Sequence, residues 1–568
     1  MNAPVLGVNF GTHDAAAAVV AEGRVLAAGE EERFTRTKHT KAFPEQAISY
    51  CLAEAGMDTR DVGTVALFVD PRRHLLLPLV NLYHGFPASF GSLVSDIGKY
   101  RQRNAAPRRI RASGLFRADC RVVPVVHHRA HAASAYLLSP FDDAVVVTID
   151  GRGEYETACV FEGRDGTLVR RHSIVYPHSI GYLYSMITRY LGFRPQRDEY
   201  KVMGLAAYGS LAQVANVNRL ARFDDRTGRF RLDLSYFDHH CRPSCKRQLY
   251  SHQLEALLGP SRRPDDEITD RHRDIAYALQ QLTERLISGY LDFARRLVPS
   301  RNLCLAGGVA LNGVANAAVL DSERFDQVFI QPAANDAGTS VGAALLVASS
   351  GERHRLVDTF LGPSYDERTI RAALDQLPRD HRTRRSEHAH QCAAELVHAG
   401  KVIGWFQGRM EFGPRALGAR SILATATDAG IADRINALIK RRELFRPLGP
   451  AVLAENGADY FDIHSAGRWV YPFMLATAPV KPNKRTIIPA VVHIDGSARV
   501  QTVERETNPR LWSVIDAYRA LSGVPVVLNT SFNGADEPIV CTPDDAVRTY
   551  LACGLDALVI GPYVVDRP

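Results

Sequence analysis

Two well-separated stretches of the chain carry one pattern, and a fold that holds both must be built twice from a similar unit. The first runs Val5 to Asn9, breaks at the polar Gly11-Thr12-His13-Asp14, resumes over Ala15 to Val20, turns at Glu22-Gly23 and continues through Arg24 to Ala28. The second runs Ala144 to Ile149, breaks at Asp150-Gly-Arg-Gly-Glu154, resumes over Thr157 to Glu162 and reaches another glycine-bearing turn. Short apolar runs punctuated by glycine and acidic residues read as strands joined by tight turns. Two such units suggest duplicated halves.

Helices must cover these strands. From Ile268 to Ala294 the apolar residues Ile275, Leu279, Leu282, Leu286 and Leu291 recur mostly at helical spacing, which predicts a long amphipathic helix. It leads into a strand at Leu303 to Leu305, a Gly307-Gly308 turn ending at Asn312, and a further strand at Val328 to Ile330 before Asp336. At 568 residues the chain exceeds what one core accommodates. The polar Ser349-Ser-Gly segment and the following Leu361-Gly-Pro place the boundary near 353, giving domains 1–352 and 353–568. Beyond it, a helix near Ala393 to Ala399 and a strand at Val402 to Phe406 make the second domain α/β as well.

Composition excludes several classes. Apolar residues make up 46% of the chain, but no run approaches the ~20 residues of a membrane span, so a soluble protein without a membrane partner is expected. The start MNAPVLGVNFG lacks the basic segment and long apolar core of a secretory signal, and the nine cysteines are scattered, so a cytoplasmic location is expected. A net charge of +7 over this length is too dilute to imply nucleic acid, and the basic stretch Arg101 to Arg117 lacks interleaved aromatic platforms.

The chemistry-bearing residues form three groups. His127 and His131 stand four apart, which on a helix puts both imidazoles on one face. Asp150 and Asp336, each at a strand end, would complete a two-histidine, two-carboxylate set suited to Fe(II), Mn(II) or Zn(II). Read differently, Asp150 would serve Mg(II)-phosphate and Asp336 would cap a helix. The glycine turns Gly11-Thr12, Gly151 to Gly153 and Gly307-Gly308 suit a backbone phosphate cradle, or else are ordinary turns. In the second domain Arg409, Arg415, Arg420, Lys440, Arg441, Arg442 and Arg446 sit among glycines and prolines, as in an anion pocket, with Asn529-Thr-Ser531-Phe-Asn533 as neutral donors. His239-His240-Cys241-x3-Cys245 is too compressed, and too interrupted by Pro243, for a structural zinc site.

VNFGTHDAAAAVV, HHRAH, TIDGRGE, EYKVMGLAAYG, LAGGVALN, NDAGTS, GRMEFGPRALGARSILA, FRPLGPAVL, DGSARVQTV and NTSFN occur in this order over nearly the whole chain. Together they resemble the O-carbamoyltransferases of antibiotic and nodulation-factor biosynthesis, and most of all the members that act on aminoglycosides. The resemblance implies a first domain similar to the Kae1-like members of the actin and sugar-kinase fold and a YrdC-like second domain. It implies carbamoyl phosphate and ATP, with Mg(II), as co-substrates and carbamoyl adenylate as intermediate. It assigns His127, His131, Asp150 and Asp336 to iron. Arg415, Lys440, Arg446, Arg499, Asn529 and Ser531 go to the carbamoyl phosphate and ATP pocket, while Gly11, Thr12, Gly151, Gly153, Gly307, Gly308 and Asn312 face the nucleotide. His13 and Asp14 fall on the acceptor side, either one a candidate base for the acceptor hydroxyl. A polycationic aminoglycoside would call for carboxylates, for which Asp14, Glu30 and Glu31 are available. Two other readings share these domain types: carbamoyl or threonylcarbamoyl transfer to tRNA or protein, and a non-catalytic actin-like nucleotide switch.

Overall fold

The computed structural model describes residues 3–85, 105–240, 249–348, 352–439, 442–443 and 445–567. Strands β1 (Val5–Asn9), β2 (Ala16–Ala21), β3 (Arg24–Glu30), β4 (Thr64–Leu67) and β5 (Arg121–Pro124) form a sheet ordered β3-β2-β1-β4-β5. Neighbours β1/β2 and β2/β3 are antiparallel, whereas β1/β4 and β4/β5 are parallel. Strands β6 (Asp143–Ile149), β7 (Glu156–Arg164) and β8 (Thr167–Val175) are followed by a small hairpin, β9 (Ala221–Asp224) and β10 (Arg229–Leu232), and then by β11 (Asn302–Ala306) and β12 (Gln327–Ile330). Their sheet, β12-β11-β6-β7-β8, repeats the first in order and direction. The duplication expected from the two hairpin patterns is therefore realised down to the strand senses.

Parallel strands bring their carboxyl ends to one side, and in open α/β sheets that side collects ligand sites. Here the ends of β5, β6, β11 and β12 lead directly into His127, Asp150, Gly307 and the 331–336 turn. Two helices, His127–Tyr136 and Ala337–Ala348, fill the space between the sheets, packed so tightly that a Cβ on Gly342 would stand 1.8 Å from the Ala130 carbonyl oxygen. The long helix Asp270–Leu297 covers the second sheet with Ile275, Leu279, Leu282 and Leu286 fully buried.

The second domain comprises β13 (Arg382–Arg385), β14 (Ile403–Phe406), β15 (Arg420–Thr425), β16 (Gly449–Leu453), β17 (Thr477–Pro479), β18 (Ser497–Arg499), β19 (Gln501–Val503), β20 (Val526–Ser531), β21 (Ala557–Ile560) and β22 (Tyr563–Asp566). Eight of them make one mixed sheet, β13-β22-β21-β14-β15-β20-β16-β19, and β17 pairs with β18. Antiparallel pairing of β20 with β15 and β16 sets Ser531 opposite Ser421 and Asn529 opposite Gly449, so the end of β20 and the starts of β15 and β16 share one rim. That rim faces the first domain. Among the described residues no helix is long and apolar enough to cross a membrane, and seven cysteines are free thiols.

Candidate functional site

His127 opens its helix and His131 follows one turn later, both at most 2% exposed. The Nε2 of His127 lies 3.0 Å from an Asp150 carboxylate oxygen and 3.7 Å from one of Asp336; that of His131 lies 3.5 and 3.6 Å from the same two oxygens. One donor atom from each of the four residues falls within 4.8 Å of the others. Burial works against a charged His131, but the hydrogen bonds and charges of Asp150 and Asp336 reverse that and push its pKa up to about 9. At 3.5 and 3.6 Å the contacts to Asp150 and Asp336 are too long to satisfy His131 Nε2 fully, and Nδ1 has no partner, although the ring is fully buried. Orphaned buried donors beside two carboxylates fit a divalent metal better than a closed protein network.

Neighbouring groups aim these ligands. Asp150 accepts the Gly151 amide on Oδ1 at 2.7 Å and the Gly308 amide at 3.4 Å, which leaves Oδ2 toward the histidines. Buried Glu154 accepts the amides of His127 and Asp70, anchoring the start of the His127 helix where its dipole favours a carboxylate. Gly153 must lack a side chain, because a Cβ there would stand 2.9 Å from the His127 ring. The expected glycine cradle is thus engaged otherwise: the Gly11 amide bonds the Lys41 carbonyl, the Gly153 amide that of Glu156, and the Thr12 hydroxyl the Asn9 side chain. Gly307, at φ +91°, passes close over the Ile149 carbonyl. Asn312 caps the next helix through Ala315 while facing the same cavity as Asp150.

That cavity, 1360 Å³, extends from Asp150 and Asp336 across the seam to the second-domain rim. Its second-domain lining includes Arg415, Arg442, Arg446 and Arg499, together with Asn529 and Ser531. Burial lowers the Arg415 pKa to about 10, and burial with the nearby Arg446 charge lowers that of Arg442 to about 9. Arg499 is pushed well down by burial and then by repulsion from Arg415, Arg442 and Arg446. The Nε groups of Arg415 and Arg499 have no partner, and Asn529 leaves Oδ1 unpaired. Glu443 answers only part of this charge, at 3.6 Å from Arg446, and it also pairs with Lys201 at 3.0 Å. A wall of mutually repelling guanidinium groups stands ready for a polyanion.

Two arginines expected there lie elsewhere. Arg409 reaches the carbonyls of Leu26, Leu361 and Gly362, and Arg420 is fully buried on the carbonyls of Gln407, Gly408 and Pro363 with its guanidinium 3.6 Å over the Phe406 ring. Both brace backbone and neither lines the cavity. Lys440 and Arg441, with Cys241 and Cys245 of the disfavoured zinc motif, lie outside the described residues. Tyr200, under Arg446 at 4.6 Å, and Lys201 join the pocket from the first domain. The EYKVMGLAAYG motif contains both, but no sequence pattern pairs them with particular residues of the second domain.

On the first-domain wall His13 Nε2 meets Gln196 Oε1 at 2.8 Å. Asp14 is held by His39 at 2.8 Å and Asn335 at 2.9 Å; burial would raise its pKa, and His39, His13 and Asn335 bring it below the usual value. Glu30 lines the cavity but pairs with Arg33 at 2.5 Å. Glu31, expected beside the acceptor, instead accepts the amides of Gln46 and Ala47 at the start of the Glu45–Glu54 helix. His39 and Gln196 act here without any sequence signal of their own, whereas Asn335 opens the NDAGTS motif that carries Asp336.

Comparison with known proteins places the site in a family. Residues 4–345 match the family described as Carbamoyltransferase N-terminus, and residues 394–567 the one described as Carbamoyltransferase C-terminus. An uncharacterised Synechocystis protein is 37% identical over 99% of this chain and 96% of its own. Nodulation protein NolNO of Sinorhizobium fredii is 36% identical over 98% of this chain and 79% of its own. Among solved structures, the chain is similar to component A of the (R)-2-hydroxyglutaryl-CoA dehydratase of Acidaminococcus fermentans, 14% identical over 61% of this chain and 98% of that one, with a TM-score of 0.35. The chain belongs to the carbamoyltransferase family, and it is an enzyme of that class.

Proposed function

We propose that the protein is an ATP-dependent O-carbamoyltransferase that makes carbamoyl adenylate at the arginine wall and transfers the carbamoyl group to a hydroxyl on the first-domain side of the same cavity. The observation that carries this reading is the single 1360 Å³ cavity joining the histidine–aspartate cluster to four under-compensated guanidinium groups. An adenylate forms with release of pyrophosphate only when a carboxylate oxygen attacks the α-phosphorus of ATP, so carbamoyl phosphate must first yield its phosphate to water. Both reactants are then anions, and Arg415, Arg442, Arg446 and Arg499 offset their repulsion. We place residues 353–568 with the YrdC-like domains and assign them this step, with Mg(II) accompanying ATP. Residues 1–352, with their doubled topology, we place in the Kae1-like branch of the actin and sugar-kinase fold.

His127, His131, Asp150 and Asp336 would hold a divalent metal, for which iron(II) is our assignment, and the bound ion would supply Lewis acidity toward a carbonyl oxygen. His13 and Asp14 orient the acceptor hydroxyl and one of the two takes its proton, Asp14 being held by His39 and Asn335. The enclosed walls keep water from the activated carbamate. For the acceptor we propose a hydroxylated small molecule. An aminoglycoside such as tobramycin requires free carboxylates, and those expected for it are engaged by Arg33, by His39 with Asn335, and by the Ala47 amide.

The test is incubation with ATP, carbamoyl phosphate and a panel of sugar, aminoglycoside and cephem acceptors, scoring pyrophosphate and carbamoylated product. Carbamoylation without pyrophosphate release would sink the adenylate route. In the same assay Arg415→Ala should abolish adenylate formation and His131→Ala should spare it; equal loss in both would refute the division of labour.

A further inference from the structure

Gln501 and Asn529 stand on β19 and β20, the strands on either side of β16, with Gln501 level with Ala451 and Asn529 opposite Gly449. Strands two places apart in a sheet lie ~10 Å from each other, too far for short side chains to meet over a bulky residue. Glycine and alanine on the strand between them leave that space open. The two amides bond across it, Asn529 Nδ2 donating to Gln501 Oε1 at 2.7 Å. Both residues are buried, Gln501 being 2% and Asn529 1% exposed.

Which end of a side-chain amide is oxygen follows from its partners, and here one backbone carbonyl settles both amides. The Leu417 carbonyl can only accept, and it takes Gln501 Nε2–H at 2.9 Å. Gln501 therefore turns Oε1 to Asn529, which must answer with Nδ2–H, a group that also reaches the Ala416 carbonyl at 3.4 Å. Asn508 Nδ2 donates to the Leu417 carbonyl as well, at 2.7 Å, and closes the back of the network. What remains is Asn529 Oδ1, an acceptor without a hydrogen-bond partner among the described residues, on a side chain that lines the cavity. Neither Nε of Arg415 nor that of Arg499 serves it, since both are unpartnered too. The guanidinium groups suit anionic oxygen atoms of a ligand, but a bare carbonyl oxygen repels such atoms. It is satisfied only by a ligand that brings an N–H.

We propose that Gln501 is a positioning residue that holds the Asn529 amide with Oδ1 as its free end, where it accepts an N–H of the carbamoyl amino group, so that the pocket takes carbamoyl groups and rejects acyl groups lacking that donor. The proposal rests on the carbamoyl phosphate reading above. Phosphate and carbonyl oxygen are common to all small acyl phosphates, and an arginine wall cannot tell them apart. A carbamoyl group alone carries NH2 where an acetyl group carries CH3. An Asn529 amide turned over by half a rotation would present its own NH2 to that amino group, donor against donor, and would set its oxygen against Gln501 Oε1. Gln501 thus controls selectivity without touching the ligand, and the small residues Gly449 and Ala451 let it reach Asn529.

The experiment titrates the full chain by calorimetry with phosphonoacetamide and acetonylphosphonate, stable mimics of carbamoyl phosphate and acetyl phosphate that differ only in NH2 against CH3. Wild type should bind phosphonoacetamide ~10- to 100-fold more tightly, because the analogue without the donor leaves Asn529 Oδ1 unpaired. In Gln501→Met, similar in volume but without an amide, that preference should fall to within about threefold while acetonylphosphonate affinity and melting temperature stay near wild type. Gln501→Leu serves in its place if the Met variant is destabilised. Equal affinity of wild type for the two analogues would overturn the reading of Asn529, and a preference kept in the folded variants would overturn the role of Gln501. A parallel loss of both analogues in the variants would make Gln501 a mere support of the Leu417 loop and refute the proposal as well. Each of these outcomes leaves the carbamoyl phosphate pocket standing; wild type that binds neither analogue would remove the pocket itself, and this proposal with it.

Discussion

Single residues here carry charge states that only their surroundings explain. His239, fully enclosed among Tyr176, Tyr182 and Phe237, donates Nε2–H to the Pro177 carbonyl at 3.0 Å, and burial pushes its pKa from 6.5 down to about 3. The unfolded chain therefore binds a proton between pH 6.5 and 3 that the fold refuses. This residue's contribution to stability is complete above pH 6.5 and is lost as the pH falls toward 3, about 2 kcal/mol of it by pH 5. Gln at position 239 can keep a donor for Pro177 and cannot titrate, so His239→Gln should shrink the pH 7 to pH 5 difference in urea unfolding free energy by about that amount; an unchanged difference would disprove it. Arg499 shows the opposite economy of charge. Its guanidinium is repelled by three others, so Arg499→Gln should raise the melting temperature of the ligand-free protein, by ~1 kcal/mol in stability, while reducing the further rise produced by ATP. A lower ligand-free melting temperature together with an undiminished ATP shift would show that Arg499 is structural.

At the scale of elements the sequence was legible where local chemistry decides. Strands β1 to β3, β6 and β7 announce themselves as apolar runs between glycine and acidic turns, whereas β8, Thr167–Val175 with Arg170, Arg171 and His172 in its middle, does not, and the helix carrying His127 and His131 follows from their spacing. Strand β13 was invisible: Arg382-Thr-Arg-Arg385 is exposed at all four positions and pairs only at the sheet edge with β22, so no hydrophobic period marks it. The same limit separates Arg415 from Arg409 and Arg420. Arg409 and Arg415 sit in one glycine-rich loop and Arg420 opens β15 at its end, and which guanidinium enters the cavity depends on the far side of the seam. Helix contacts offer a test of how the metal ligands are positioned. The Ala337–Ala348 helix, which Asp336 introduces, meets the His127–Tyr136 helix at Gly342, where a Cβ would collide with the Ala130 carbonyl. Gly342→Ala should therefore separate the two helices, costing ~2 kcal/mol or more in stability and weakening metal binding ~10- to 100-fold. Urea unfolding and competition with a chelator measure both; a loss of stability with full metal affinity would mean that Asp336 is positioned independently of its helix.

For the whole molecule, the proposed adenylate route requires the two domains to stay closed around the intermediate. The seam is laced by buried polar contacts: Arg33 to the Gly413 carbonyl at 3.0 Å, Asn316 to that of Leu475 at 2.7 Å, and Lys201 to Glu443. Arg409 is the most connected of these groups. From the second domain it donates to the Leu26 carbonyl at 3.2 Å and to those of Leu361 and Gly362 in the joining segment, and stands 3.5 Å from Glu54. It touches neither the arginine wall nor the metal ligands, so its removal should leave adenylate formation intact while loosening the closure that excludes water. With ATP and carbamoyl phosphate present and no acceptor, wild type should release AMP slowly, because the intermediate is shielded from hydrolysis. Arg409→Ala should raise that acceptor-independent AMP release, on the order of tenfold, with the first turnover of pyrophosphate unchanged. A parallel fall in pyrophosphate would instead place Arg409 within the adenylate-forming machinery, and unchanged AMP release would show that the other seam contacts suffice to keep the cavity dry.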